Sequence, residues 1–166
     1  MPESGENRTD PFMAREIERK FLVDDSRWSP RGAGRRFVQG YVMVDDDRSL
    51  RVRHEPGQGA WVTLKVGGGT LDRSEFDYAV PEADAVEMLA LCEGRVVDKT
   101  RYTEPAGRHT FEIDVFAGRH TGLVLAEVEL ADVNETFERP TWLGDEVTGD
   151  ARYLNARLAM DDVFNG

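Results

Sequence analysis

The chain has 166 residues, of which 40% are hydrophobic and 32% are charged, a balance that fits one soluble globular domain with its own core. Its net charge of -11 excludes nucleic acid and anionic membranes as main partners, because both attract basic surfaces. The lone cysteine, Cys92, excludes an internal disulfide and, with no apolar run long enough to span a membrane, predicts a cytoplasmic protein.

The first elements in chain order are strands. Residues 1–13 are polar and lack the apolar stretch of a signal peptide, so we expect a disordered tail followed by a single domain over 14–166. The strands are predicted from short runs rich in valine and aromatic residues, separated by turn-forming glycine and aspartate. They cover residues 15–23, 36–44, 48–54, 60–66, 70–80, 95–104, 108–116 and 123–130. Eight antiparallel strands with few helices predict a mainly β fold, a closed or nearly closed barrel.

Two helices interrupt and close this series of strands. The first is predicted over residues 81–92, because Pro81 stands at its start and acidic residues occupy its first turn. Its predicted apolar face consists of Val86, Leu89 and Ala90. The second is predicted over residues 151–164, with Asp150 as its N-cap. Between the last strand and this helix we expect an irregular segment.

Nearly every predicted strand alternates charged and apolar residues. In the first strand Glu16, Glu18 and Lys20 share one face, while Ile17 and Phe21 share the other. Two interpretations compete. The charged faces point to solvent, as is usual for an antiparallel sheet, or the barrel is inverted, with charges lining its interior and apolar faces packed beneath helices.

The charges also separate by sign, which favours the inverted barrel. The basic group consists of Lys20, Arg51, Arg53, Lys65, Arg73, Lys99 and Arg101. The acidic group consists of Glu16, Glu18, Glu112, Asp114, Glu127 and Glu129. In an inverted barrel one wall would bind a polyanion and the other would hold hard divalent cations through oxygen ligands.

Motifs along the whole chain resemble one family. EIERK at residues 16–20 matches the ExExK signature of the CYTH superfamily, the triphosphate tunnel metalloenzymes. The resemblance continues, in order, through RVR, TLK, DRSEFDY, KTRY, FEIDVFAG, LAEVEL and WLGDEVTGDARYLNARLA. The chain is similar to the short, single-domain bacterial members of this superfamily, several of which hydrolyse inorganic triphosphate.

This resemblance implies an eight-stranded antiparallel barrel whose tunnel binds a linear triphosphate. The implied substrate-binding residues are Lys20, Arg51, Arg53, Lys65, Arg73, Lys99 and Arg101. The implied metal ligands are Glu16, Glu18, Glu127 and Glu129, which form the catalytic set together with Lys20. The implied supporting acids, which orient the basic residues, are Glu75, Glu112 and Asp114. Tyr41 either lines the tunnel or packs in the core.

The predicted chemistry needs no protein nucleophile. Arginines grip phosphate with two hydrogen bonds and lysines act as point charges. One Mg²⁺ or Mn²⁺ would bridge phosphate oxygens, and a second would bind and acidify the attacking water. We therefore expect two ions and a small-molecule triphosphate substrate, with no nucleic acid and no membrane as partner. The sequence sets no oligomeric state.

The preferred activity is hydrolysis of inorganic triphosphate to pyrophosphate and phosphate, because the chain has no added domain for a nucleoside. A class IV adenylyl cyclase, in which a ribose oxygen attacks ATP, stays open as an alternative, as does a thiamine or nucleoside triphosphatase. A non-catalytic binder of polyphosphate or nucleotide is an alternative of another class. It would be favoured by a missing metal ligand, and none of the four glutamates is missing.

Overall fold

The computed structural model describes residues 17–67 and 74–160, which form nine strands and two α-helices. The strands are β1 (Ile17–Val23), β2 (Arg35–Val44), β3 (Arg48–Glu55), β4 (Gly59–Val66), β5 (Ser74–Val80), β6 (Val96–Ala106), β7 (His109–Phe116), β8 (Val124–Leu130) and β9 (Leu143–Glu146). The helices are α1 (Glu82–Ala90) and α2 (Asn155–Met160). Within these described residues, no helix has the length and apolar character needed to cross a membrane.

All nine strands belong to one antiparallel sheet, in the order β5-β4-β3-β2-β6-β7-β8-β1-β9. The prediction of a mainly β, antiparallel fold is confirmed. The predicted barrel is open, because β5 and β9 form the two margins of the sheet and do not pair with each other in the described part of the chain. The ninth strand was not predicted; it lies within the stretch expected to be irregular and pairs with β1.

One apolar cluster lies on the face of the sheet formed by β1, β7 and β8. Phe21, Phe111 and Ile113 are fully buried there. The ring of Phe111 meets the rings of Phe137 and Trp142 edge-on, with centroids 5.8 and 5.3 Å apart. Both covering residues belong to the irregular segment between β8 and β9. This irregular segment therefore covers the apolar face of β1, β7 and β8 and shields it from water.

Helix α1 covers the same side of β3 and β4. Ala85 and Cys92 are fully buried against Val52 and its neighbours. The predicted apolar face of this helix is partly wrong: Leu89 packs against the cluster, but Ala90 is exposed and Val86 is 54% exposed. The helix approaches β2 very closely, since a Cβ added at Gly40 would lie 2.6 Å from the Cys92 sulfur. That close approach requires glycine.

The C-terminal residues form two short helices and not the single helix predicted over 151–164. Asp150 accepts a hydrogen bond from the Arg152 N–H and so caps a turn of 3-10 helix at Ala151–Tyr153. Leu154 is extended, with φ -72° and ψ 134°, and α2 begins after it. The predicted residues beyond 160 lie outside the described part. The break at Leu154 turns α2 towards the sheet.

Candidate active site

The charged side chains lie on the face of the sheet opposite α1, here called the inner face. Residues that pair across antiparallel strands point to the same side of a sheet, so the register defines this face. Lys20 pairs with Glu127, and Arg101 pairs with Asp114. The sheet is therefore inverted in the predicted sense, with charged residues inside and the clusters beneath α1 and the irregular segment outside.

The inner face encloses a cavity of about 500 Å³, here called the central cavity. The predicted site residues that line it are Glu18, Lys20, Tyr41, Arg51, Arg53, Lys65, Glu75, Lys99, Arg101 and Glu127. Gln39, the turn at residues 45–49 and residues 154–156 complete much of its wall. Residues from seven of the strands, β1 to β6 and β8, and from residues 154–156 thus converge on one space.

Asp114 aligns two cations along the wall of the central cavity. Lys99 Nζ donates to Asp114 Oδ2 at 2.5 Å, and Arg101 Nε donates to Asp114 Oδ1 at 2.7 Å. Arg101 also donates to Glu112, and to Glu127 at 3.1 Å. Burial alone would raise the pKa of Asp114, but the two cations lower it to about 2. Three carboxylates hold the Arg101 guanidinium in one orientation.

Arg51 and Arg53 on β3 contact neutral groups. Arg51 Nη2 donates to Thr63 Oγ1, and Arg53 Nε donates to Gln39 Oε1, each at 3.1 Å. Burial, followed by repulsion from Arg51 and Arg101, lowers the pKa of Arg53. Four buried side-chain nitrogens have no hydrogen-bond partner among the described residues, and two of them, Arg51 Nε and Gln39 Nε2, belong to residues that line the central cavity. Because an unpaired buried donor is costly, these two atoms indicate where an external acceptor binds.

Acidic residues of β1 and β8 face one another across the register. Glu18 pairs with Glu129, two residues from the Lys20–Glu127 pair. Lys20 Nζ lies 2.9 Å from Glu127 Oε1 and 4.0 Å from Glu18 Oε1. Burial, followed by repulsion from Glu127, raises the pKa of Glu18. Lys20 and Arg101 both contact Glu127, whereas Glu18 has only the longer contact of 4.0 Å with Lys20, and a hard cation with oxygen ligands fits these carboxylates.

A complete metal cage is not preformed in the described part of the chain. No group of three or more acidic, histidine or cysteine side chains is arranged there to hold an ion. Mg²⁺ commonly takes one or two carboxylates and completes its shell with water and substrate phosphate. Glu18 and Glu127 meet that requirement. The fourth predicted ligand, Glu16, lies outside the described residues, as does the predicted phosphate contact Arg73.

Side chains of β4 and β5 position Lys65 and Arg51. Lys65 Nζ lies 2.9 Å from Glu75 Oε2. Thr63 donates to Asp77 and accepts from Arg51, so a neutral hydroxyl links the carboxylate to the guanidinium. The link orients Arg51 without neutralising it by direct contact.

The C-terminal segment closes part of the central cavity. Lys20 Nζ donates to the backbone oxygen of Tyr153 at 3.3 Å, and Lys99 Nζ donates to Asn155 Oδ1 at 3.2 Å. Tyr153 is buried in a cluster with Leu125 and Leu158 of α2. The segment thus contacts two of the three predicted substrate-binding lysines directly, while its apolar side anchors it to the sheet.

The sequence left open whether Tyr41 lines the tunnel or packs in the core, and the structure shows both. Tyr41 lines the central cavity, and it is buried in the cluster that includes Phe116. Burial raises the pKa of Tyr41, and Arg51 acts in the opposite direction. The phenol therefore stays protonated and can donate a hydrogen bond.

Some predicted residues support the wall without lining the central cavity, and some lining residues were not predicted. Glu112, Asp114 and Glu129 lie on the inner face behind or beside the lining side chains. The functional candidates that sequence reasoning passed over are Gln39, Thr63, Asp77 and Asn155. Alternation places the first three on the charged face, so that signal was present. Asn155 gave no such signal, because it was assigned to a continuous helix.

Comparisons with known proteins agree with this geometry. Residues 14–157 match the CYTH domain. The chain belongs to the CYTH family. It is 41% identical over 154 residues to an inorganic triphosphatase of Acetivibrio thermocellus, covering 92% of this chain and 98% of the relative. It is also 41% identical over 152 residues to an inorganic triphosphatase of Nitrosomonas europaea, covering 87% and 97%.

A solved structure gives the same result for the fold. This CYTH domain superposes on the crystal structure of an inorganic triphosphatase with a TM-score of 0.71 and 35% identity, over 92% of this chain and 99% of the other. The CYTH match includes the positions of Glu16 and Arg73, which the structure leaves undescribed. The ordered motifs noted in the sequence are therefore those of a CYTH domain along nearly their full length.

Proposed function

We propose that this CYTH domain hydrolyses a linear triphosphate, inorganic tripolyphosphate, to pyrophosphate and phosphate in the central cavity. Two relatives of nearly equal length bear the name inorganic triphosphatase, which supports the reaction. The observation that carries the proposal is the pair of unpartnered buried donors, Arg51 Nε and Gln39 Nε2, beside two arginines with neutral contacts. An anion rich in oxygen acceptors satisfies the donors and the charges together.

The basic residues act by binding and orienting the substrate. Triphosphate carries about four negative charges near neutral pH, and its transfer needs the phosphoryl oxygens neutralised and the chain held in line. Arg51 and Arg53 supply planar donors from β3, and Lys99 and Arg101 supply donors from β6. Lys20 approaches from β1. Cations on strands from different parts of the sheet would hold the substrate along its length.

The acidic residues of β1 and β8 are proposed to hold two divalent cations, Mg²⁺ or Mn²⁺. The proposed ligands are Glu16, Glu18, Glu127 and Glu129. When bound, such cations neutralise phosphate oxygens and lower the pKa of a coordinated water. The ion pair between Lys20 and Glu127 keeps a cationic donor beside this site. Glu75, Glu112 and Asp114 are proposed to position the basic residues that they contact.

The proposal is tested by incubating the purified protein with Mg²⁺ or Mn²⁺ and tripolyphosphate, ATP or thiamine triphosphate. Released phosphate and cyclic AMP are measured for each substrate. We expect the highest kcat/KM for tripolyphosphate, with phosphate and pyrophosphate as products, and loss of turnover with EDTA. Cyclic AMP as the main product from ATP would overturn the assignment in favour of a cyclase. Binding of tripolyphosphate without turnover in either metal would indicate a binding protein.

A further inference from the structure

Gln39 lies between two strands that carry cations. The inner face of β2 presents Phe37, Gln39 and Tyr41, while the neighbouring strands β3 and β6 present arginine and lysine. Gln39 pairs with Arg53 and is 1% exposed. It lines the central cavity, so its amide is buried from bulk water but adjacent to the space proposed for substrate. A buried amide in such a position needs partners for both its oxygen and its nitrogen.

The chemistry of its neighbour fixes the orientation of the Gln39 amide. Arg53 Nε lies 3.1 Å from the amide oxygen, and a guanidinium N–H can only donate. The amide nitrogen cannot take that place, because two donors would face one another. Nε2 is therefore left as the free end of the amide, and it has no hydrogen-bond partner among the described residues. Its two N–H groups are held in place without an acceptor.

We infer that Gln39 Nε2 donates a hydrogen bond to a phosphoryl oxygen of the triphosphate, which makes Gln39 a substrate-binding residue. The inference rests on the proposed function of the central cavity. The second unpartnered donor is Arg51 Nε, and Arg51 lies two positions from Arg53 on β3. Because Gln39 pairs with Arg53, Gln39 and Arg51 are diagonal neighbours on one face of the sheet. Such neighbours lie about 7–8 Å apart, so the two side chains can reach one ligand.

A neutral donor at this position can bind the anion without adding positive charge to the central cavity, which another cation could not do. Burial and repulsion from other guanidinium groups already lower the pKa of Arg53. A further cation in the position of Gln39 would add to this repulsion whenever the central cavity is empty. The amide donates to the anion and accepts from Arg53 at once, without adding charge. Gln39 therefore couples the orientation of Arg53 to the position of the phosphoryl oxygen.

Two substitutions of almost unchanged size separate this role from a purely structural one. Gln39→Met removes the donor and the acceptor, whereas Gln39→Glu keeps an acceptor for Arg53 and replaces the donor with a negative charge. Binding of tripolyphosphate is measured by calorimetry without metal. We expect affinity to fall about tenfold in Gln39→Met and roughly a hundredfold or more in Gln39→Glu. If Gln39→Glu binds tripolyphosphate at least as tightly as Gln39→Met, the amide nitrogen does not face the anion, and the inference fails.

The dependence of affinity on salt gives a second readout. Because Gln39→Met removes no charge, the slope of log Kd against log salt concentration should match that of the wild type. Arg51→Ala should reduce the slope. Wild-type affinity in a folded Gln39→Met variant would overturn the inference. Because binding is measured, and not turnover, a wild type that binds without hydrolysing would contradict the proposed function and still test Gln39.

A measurement on the wild-type protein covers the case in which neither variant folds. The side-chain ¹⁵N–¹H resonances of Gln39 are followed by NMR while tripolyphosphate is added without metal. Hydrogen exchange of the amide should slow as the anion binds, because the N–H groups become hydrogen-bonded. Unchanged exchange at saturating tripolyphosphate would contradict the inference.

Discussion

Lys99 Nζ lies 2.5 Å from Asp114 Oδ2, and both side chains are almost wholly buried, at 3% and 2% exposure. The other oxygen of the same carboxylate accepts from Arg101 Nε at 2.7 Å. The carboxylate of Asp114 thus compensates the charges of two cations that line the central cavity. The arrangement makes Asp114 a residue whose removal would leave buried positive charge without its nearest partner.

Replacing Asp114 with Asn should therefore destabilise the protein without altering the shape of the side chain. Loss of one partner of a buried ion pair typically costs about 3–5 kcal/mol in the free energy of unfolding. Urea denaturation measures the change, and Asp145→Asn on exposed β9 is the matched control. Tripolyphosphate should restore part of the lost stability, because it supplies negative charge to Lys99 and Arg101. Equal stability of the two variants would contradict the role given to Asp114.

Arg51→Ala should weaken binding of triphosphate and raise KM. A charge-assisted contact contributes about 1.5–3 kcal/mol, so we expect a tenfold to hundredfold loss of affinity, measured by calorimetry. Arg36→Ala is the control, because Arg36 belongs to neighbouring β2, points to the opposite side of the sheet and binds Asp98. Unchanged affinity in a folded Arg51→Ala variant would remove this arginine from the binding site.

Glu129→Gln should separate metal binding from substrate binding. The change keeps the size of the side chain and removes one carboxylate from the proposed ligand set, so kcat should fall roughly a hundredfold. Excess Mg²⁺ or Mn²⁺ should partly restore turnover. Calorimetric binding of tripolyphosphate without metal should stay the same or tighten, since an acid is lost. Wild-type turnover in both Glu18→Gln and Glu129→Gln would contradict the metal assignment.

Asn155→Ala should alter the closing of the central cavity without removing its cover. The substitution breaks the hydrogen bond of 3.2 Å from Lys99 Nζ but leaves Tyr153 and Leu158 buried. We expect faster release of tripolyphosphate in stopped-flow experiments and a several-fold increase in Kd. Asn134→Ala, in an exposed turn, is the control. Deleting residues from Ala151 onward is a poorer test, because it also uncovers Leu125.

Acid should weaken the attachment of β9 to the sheet. The hydrogen bond from Arg19 lowers the pKa of Glu146 from 4.5 to about 2. Because the folded-state pKa lies below the unfolded one, the stabilisation is complete above pH 4.5 and disappears as pH falls towards 2. Glu146→Gln should cost about 0.5–1 kcal/mol at pH 7, since the pair is partly exposed, and the cost should vanish as the pH falls below about 2. Unfolding measured against pH tests this, with exposed Glu87→Gln as control.

Alternation along the strands predicted a mainly β fold and which side chains share a face, while the separation of charges by sign and the family resemblance favoured a charged interior. A period of two is a strong signal when one face is apolar, so the sequence placed Glu18, Arg51 and Lys99 on one side without any structure. The short strand β9 has no such signal. Its four residues, LGDE, contain one apolar side chain, and its place beside β1 depends on tertiary contacts.

Local breaks in regularity account for the remaining errors. In a regular strand Tyr41 and Met43 would share a face, but the register with β3 shifts between them and pairs Met43 with Leu50. The break at Leu154 was equally invisible, since leucine favours a helix. It depends on the burial of Tyr153 before it and Leu158 after it. Such irregularities arise from tertiary packing, which the identity of a single residue does not predict.

Among residues 17–67 and 74–160, the margins β5 and β9 do not pair with each other, so the sheet forms an unclosed ring. In a closed barrel, the number of strands and their stagger set the diameter, and a change in diameter breaks backbone hydrogen bonds. An unclosed ring can widen or narrow while every strand keeps its neighbours. The width of the central cavity can therefore respond to repulsion among its cations and to a bound anion, so that an occupied cavity should be narrower than an empty one.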